Sequence, residues 1–239
     1  MKNAVVIAKG NLFRIHTHRF IFMARVKLAY PKIPDSKNCP LDKCIAFKKY
    51  DGTNLHFCWE PELSWYGFGT RRNRYDLDEM GIAEFNDAHP GLAESPGIFR
   101  RDFADQLEFI FRSNPKYQFP EITVFTEFLG ANSFAGMHDR DEPKDLILFD
   151  VETGNGMVAP EEFIEDFGDL KIAEVIYRGK FTGQFVEDVR RGKYKVDEGV
   201  VCKGVDKATK EVWMAKIKTN SYMLKLKQEF KDDWQNYWE

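Results

Sequence analysis

The sequence predicts an α+β fold of antiparallel sheets flanked by helices. Three observations predict it. Short apolar runs bounded by Gly, Pro or Asp recur along the chain, as strands do. Two pairs of these runs flank tight polar turns, which is the pattern of a hairpin. One segment, Asp102 to Phe111, has the spacing of an amphipathic helix. No repeat, low-complexity tract or linker divides the 239 residues, so residues 1–239 read as a single domain.

Taken in order, residues 1–38 read as a strand-rich stretch. Phe20-Ile21-Phe22-Met23 and Val26-Lys27-Leu28 are apolar runs that end at Pro31 and Pro34. Cys44-Ile45-Ala46-Phe47 is the next strand. Leu55-His56-Phe57-Cys58-Trp59 is expected to pair with it, antiparallel across an Asp51-Gly52 turn. In the Asp102–Phe111 helix, Phe103, Leu107, Ile110 and Phe111 share a face, and Pro115 lies just beyond. Ile122 to Leu129 is a strand that stops at Gly130, and Leu146 to Val151 is another. Pro160 to Phe167 is a short acidic helix with proline in its first turn. Gly199–Lys203 and Glu211–Lys218 form a hairpin around Gly204–Lys210, and residues 219–239 suit one amphipathic helix.

Composition bounds the function. Hydrophobic residues make up 43% and aromatics 15%, with 21 Phe, so a large core can form. The net charge of −3 gives no general attraction for a polyanion, so any nucleic-acid surface must be a local basic patch. Cys39, Cys44, Cys58 and Cys202 contain no CxxC pair and read as free thiols in a reducing compartment. Cys39 and Cys44 lack the further partners of a zinc site. Ala4-Val5-Val6-Ile7-Ala8 is too short for a signal peptide, and no apolar run reaches membrane-spanning length. The expectation is a soluble, cytoplasmic protein with no membrane partner. His16-x-His18 reads as an ordinary strand pair, and His89 and His138 as loop residues.

The chemistry lies in a series of short motifs. Lys49-Tyr50-Asp51-Gly52-Thr53-Asn54 places a lysine at the mouth of an apolar strand, beside a turn. Glu127 sits on a second strand, Phe149-Asp150 on a third, Glu198-Gly199 opens a fourth, and Lys216 and Lys218 alternate on one face of a fifth. Each has an ordinary reading. Lys48 and Lys49 could be a solvated pair, Glu127 an outward strand residue, Phe149 a core ring, Glu198 with Asp197 a turn pair, and Lys216 and Lys218 a solvated face. Their order and spacing set those readings aside.

That order resembles the covalent nucleotidyltransferase superfamily of ATP-dependent ligases and mRNA capping enzymes. Asn54, five residues after the lysine, is similar to the residue found in the phage RNA ligase 2-like and kinetoplastid RNA-editing ligase group. Asp51 and Thr126 depart from that group, which often has His and Gly at those places. The resemblance spans roughly residues 30–220 and implies a ligase adenylylation domain, ATP-grasp-like in its antiparallel sheets. It implies ATP as cofactor, with Mg²⁺ or Mn²⁺ because the candidate ligands are hard oxygens. It also implies RNA with 5′-phosphate and 3′-hydroxyl ends as partner, as in a nicked duplex during RNA repair.

The implied roles are these. Lys49 is the adenylylated nucleophile. Asp51 supports the lysine and the metal, and Asn54 contacts the nucleotide or the 3′ end. Glu127 holds the ribose hydroxyls, Phe149 stacks on adenine, and Glu198 binds metal. Lys216 and Lys218 grip the α-phosphate. Arg71 or Arg72, within the basic Thr70–Arg74 tip, contacts phosphate, and spacing does not choose between them. Positive charge from Lys216, Lys218 and the cation is expected to lower the pKa of Lys49.

About twenty residues follow Lys218, too few for the OB-fold that DNA ligases and capping enzymes append. The expectation is a minimal, phage-like core without an OB-fold, with a partner protein in place of a C-terminal domain. The alternatives are a minimal DNA ligase, an mRNA guanylyltransferase and a non-catalytic nucleic-acid-binding protein of the same fold.

Overall fold

In the computed structural model, which describes residues 29–237, the Cys44–Phe47 run is the centre of strand β1 (Lys43–Lys49). Its four residues are buried on both sides. Cys44 and Ala46 face one apolar core, and Ile45 and Phe47 face another. A strand buried on both faces belongs in the middle of a sheet. β1 is flanked there by β8 (Val175–Lys180) and β9 (Gly199–Val205), with β10 (Val212–Lys218) beyond β9, all antiparallel.

The expected pairing of Leu55–Trp59 with this strand does not form. That segment is the core of β2 (Thr53–Glu60), which lies in a second sheet between β3 (Ser64–Thr70) and β5 (Ile122–Gly130). The Asp51-Gly52 turn therefore carries the chain from one sheet to the other. Gly52 is required there by close approach: an added Cβ would lie 2.3 Å from the Phe128 carbonyl oxygen of β5. The second sheet continues with β4 (Arg74–Asp76) on one side and with β6 (Lys144–Thr153) and β7 (Gly156–Met157) on the other.

Helices cover the sheets. α1 (Glu79–Ala88) starts on Asp78, whose carboxylate accepts from Gly81 N. The predicted Asp102–Phe111 helix is part of a longer run. α2 (Ser95–Phe99), a π-helical turn over Arg100–Ala104 and α3 (Asp105–Ser113) follow one another without a break. Phe103, Leu107 and Phe111 are buried as their spacing predicts. They join Phe57, Phe68, Phe85 and Phe99 in a phenylalanine-rich core. α4 (Pro160–Phe167) matches its predicted limits. α5 (Gly183–Arg190), capped by Thr182, packs Phe185 and Val189 on the other face of the first sheet. α6 (Asn220–Phe230) begins the C-terminal segment. The β9–β10 hairpin forms as expected.

The expected strands over Phe20–Leu28, and the His16-x-His18 pair, lie outside the described residues. Of residues 29–38, Ser36–Asn38 form a single 3-10 turn. All four cysteines are free. Among the described residues, no helix is long and apolar enough to cross a membrane.

Candidate active site

Alternation along β1 puts Phe47 and Lys49 on one face, and Lys49 is the last residue before the chain crosses between sheets. β9 and β10 supply the other residues of this face. Glu198 immediately precedes β9 and is followed by Gly199, whose φ is +153°. A Cβ there would lie 2.0 Å from the Ile217 carbonyl oxygen, so the chain can present Glu198 in this way only with glycine next to it. Across the hairpin, Lys218 is in register with Gly199. Thr219 then ends the strand. Its hydroxyl donates to Asp197 O at 2.7 Å and accepts from Tyr222 N, capping α6, while its own N–H donates to Glu198 O at 2.9 Å.

The result is a three-residue charge cluster. Lys49 Nζ donates to Glu198 Oε2 at 2.9 Å, and Lys218 Nζ lies 3.0 Å from Glu198 Oε1. Glu198 is 2% exposed. Lys48 is separate from this cluster, 4.0 Å from Glu174 and over the Tyr50 ring. Asp51 is held from two sides: Tyr222 Oη donates to Oδ1 at 2.9 Å, and Ala135 N donates to the same oxygen at 2.8 Å. Glu127 sits directly opposite Asn54 in the β2–β5 register, and its Oε1 accepts from Gly52 N at 3.2 Å.

A cavity of about 370 Å³ opens beside the cluster. Lys49, Asn54, Arg71, Arg72, Glu127, Phe149 and Lys216 all line it. Asp51, Glu198 and Lys218 stand behind it rather than on its wall. Asn54 Oδ1 is buried without a hydrogen-bond partner in the protein. Arg71 is half-buried and donates through Nη2 to Pro31 O at 3.3 Å, whereas Arg72 is exposed. The Phe149 ring is half-buried and set edge-on to Tyr30, 5.1 Å between centroids.

The electrostatics correct one expectation. Burial acts to lower the pKa of Lys49, but Glu198, Glu127 and Asp51 outweigh it, and the ammonium is held above its ordinary value. Any depression from the neighbouring lysines is likewise outweighed by these three carboxylates. Lys218 itself is lowered, by burial first and with Lys49 adding to the effect. Burial pushes Glu127 up to about 7, with Lys49 opposing. Asp51 is raised by burial and by Glu198.

Sequence reasoning passed over Lys203, Tyr30 and Tyr222. Lys203 is 2% exposed, and its Nζ donates to Asp150 Oδ1 and to Phe149 O, both at 2.6 Å. Tyr30 Oη donates to the other Asp150 oxygen. This buried network fixes the backbone that carries Phe149. Its signal was present as one charge inside each of two apolar strands, Asp150 and Lys203.

The two antiparallel sheets that meet at this cavity have the fold of solved RNA ligase structures. Within that fold, the chain belongs to the RNA ligase family, whose model matches residues 42–221. A lysine-to-alanine variant of Naegleria gruberi RNA ligase, solved with ATP and Mn, is similar with a TM-score of 0.56 and 16% identity. The match covers 83% of this chain and 58% of that one. An archaeal ATP-dependent RNA ligase gives a TM-score of 0.55 at 16% identity, over 85% of this chain and 52% of that one. The Naegleria gruberi RNA ligase with PPi gives 0.55 at 16%, over 84% and 59%. The chain thus spans little more than half the length of the solved structures it matches. No curated protein sequence matches it.

Proposed function

We propose that the chain is an ATP-dependent RNA ligase that carries AMP on Lys49. One arrangement carries the reading: Lys49 Nζ, 2.9 Å from Glu198, at the wall of a cavity shared with Asn54, Glu127, Phe149 and Lys216. Membership of the RNA ligase family supports it. The cavity's volume is within the range of small-molecule sites, and the unpartnered Asn54 oxygen suits a polar ligand.

In the first step the Lys49 nitrogen bonds to the α-phosphorus of ATP, and pyrophosphate leaves with the electrons of the broken bond. Lysine must first give up a proton, and Glu198 Oε2 is within reach to accept it. AMP then passes to an oxygen of an RNA 5′-phosphate, freeing Lys49. A 3′-hydroxyl oxygen finally attacks that phosphorus and displaces AMP. Phe149 carries the adenine ring, Glu127 the ribose, and Lys216 and Lys218 the charge that grows on phosphate. Arg71, tethered to Pro31, is the better phosphate contact of the two arginines.

Among the described residues, no three His, Cys, Asp or Glu converge to cage a metal. Glu198 and Asp51 still suit Mg²⁺ or Mn²⁺, which bind through one or two carboxylates and complete their coordination with phosphate oxygens and water. Such an ion would supply neutralising charge at the phosphates. Asn54 favours the RNA ligase 2-like group, with 5′-phosphate and 3′-hydroxyl RNA ends as substrate.

Incubation with radiolabelled ATP or GTP and Mn²⁺, followed by a denaturing gel, tests the reading. Label from ATP that disappears in Lys49→Ala and persists in Lys48→Ala is the expected result. No label from either nucleotide would exclude a lysine nucleotidyltransferase. A nick with an RNA 3′-hydroxyl strand should be sealed faster than an all-DNA nick, and equal rates would remove the RNA preference.

A further inference from the structure

A second cleft, of about 800 Å³, opens at the end of β1 remote from Lys49. Lys43, Arg178, Lys180, Lys203 and Lys207 line it, together with Asp42 and Glu161. Lys43 has the same strand parity as Lys49, so both side chains leave the same face of the sheet, six residues and about 20 Å apart.

The charges on this face are arranged against the sheet's own interest. Lys43 stands directly opposite Lys180 in the β1–β8 register. Like charges directly opposed across strands destabilise the pairing. The next row on this face sets Ile45 between Arg178 on β8 and Lys203 on β9. Glu161 is bound to Arg178, Asp42 lies 2.7 Å from Lys207, and Asp150 holds Lys203 from within. Among the described residues, Lys43 and Lys180 make no ion pair; Asp42, which pairs with Lys207, also feels the charge of Lys180. The whole chain carries a net charge of −3, so this is a local concentration of positive charge, and a concave surface focuses its field.

We propose that this cleft binds the phosphate backbone of the RNA substrate, several nucleotides from the joint. An RNA strand whose end reacts beside Lys49 has to leave along some surface. This cleft lies on the same sheet face and offers paired lysines that an anion would relieve. Lys43 and Lys180 take adjacent phosphates. Arg178 and Lys207, already on the rim, exchange their carboxylates for phosphate oxygens. The proposal rests on the ligase reading, and it adds a substrate contact remote from the nucleotide.

The test is fluorescence anisotropy of a labelled, nicked RNA duplex across a salt series. Wild type is compared with the Lys43→Ser/Lys180→Ser double variant, with the charge-keeping Lys43→Arg/Lys180→Arg variant and with Lys207→Ser. Self-adenylylation with ATP, which needs no RNA, is read on each preparation to report its folding. The serine pair should weaken binding on the order of ten-fold. It should also flatten the slope of log K against log salt by roughly 1.4 to 1.8, while the arginine pair restores both. If the serine pair does not fold, Lys207→Ser carries the test with about half that change in slope. Unchanged affinity and slope, with wild type binding and sealing RNA, would overturn this site and leave the ligase reading standing. A wild-type chain that takes AMP but neither binds nor seals RNA would overturn both.

Discussion

The ammonium of Lys49 is bound to the carboxylate of Glu198 across 2.9 Å, so the proposed nucleophile rests against the residue that the family resemblance assigns to metal. The other oxygen of the same carboxylate holds Lys218 at 3.0 Å. Two half-buried cations thus share one buried anion. That arrangement makes Glu198 structural as well as chemical.

Glu198→Ala leaves two half-buried lysines beside each other without their shared partner. The expected loss is about 3–5 kcal/mol of stability, together with loss of lysine labelling. Urea unfolding of the single variant and of Glu198→Ala/Lys218→Met checks it. The double variant should recover much of the loss, because it removes one uncompensated charge. A single-variant loss of under about 1 kcal/mol would mean that the cluster is well solvated.

Tyr222→Phe removes the hydroxyl that donates to Asp51 but keeps the ring beside Lys218 and Phe134. A hydrogen bond to a charged group is worth about 1.5–3 kcal/mol. Asp51 would then be held by Ala135 N alone. Tyr222 does not line the cavity beside Lys49, so on the ligase reading the adenylylation rate should fall while KM for ATP changes little. A rise in KM with an unchanged rate would contradict a positioning role.

Lys203→Met breaks the buried pair with Asp150 and leaves that carboxylate with Tyr30 as its donor. The single change should cost about 3–5 kcal/mol, whereas Lys203→Met/Asp150→Leu should come much closer to wild type. Thermal unfolding separates the two. The double variant should nonetheless bind ATP more weakly, since Lys203 also ties down the Phe149 carbonyl.

His56 sets part of the acid limit. It is 4% exposed, and burial, with Arg74 adding, lowers its pKa from 6.5 to about 4. Between those values the unfolded chain binds more protons than the folded one, so stability falls as pH drops through that window. The shift corresponds to about 3 kcal/mol when the window is crossed completely. His56→Leu removes this titration, so its urea midpoint should fall less steeply between pH 6.5 and pH 4. Parallel curves for the two proteins would show that His56 does not contribute.

The residues gathered at the candidate site were legible in the sequence because they recur as particular residue types at fixed places on strands. Lys49, Glu127, Phe149, Glu198, Lys216 and Lys218 could be named in order, and alternation correctly put the last two on one face. Helix α4 and the β9–β10 hairpin were legible for the same local reason: a proline at the first turn, and a polar turn between apolar runs. Pattern of this kind reports period and face. It does not report which strand lies alongside. The pairing of β1 with β8 and β9 instead of β2 was decided by burial on both of its faces, which only packing can reveal. Contacts between distant residues were decided the same way. Asp51 meets Tyr222 across 171 positions and Asp150 meets Lys203 across 53, and each pair is joined because folding leaves a buried polar group that must find a partner.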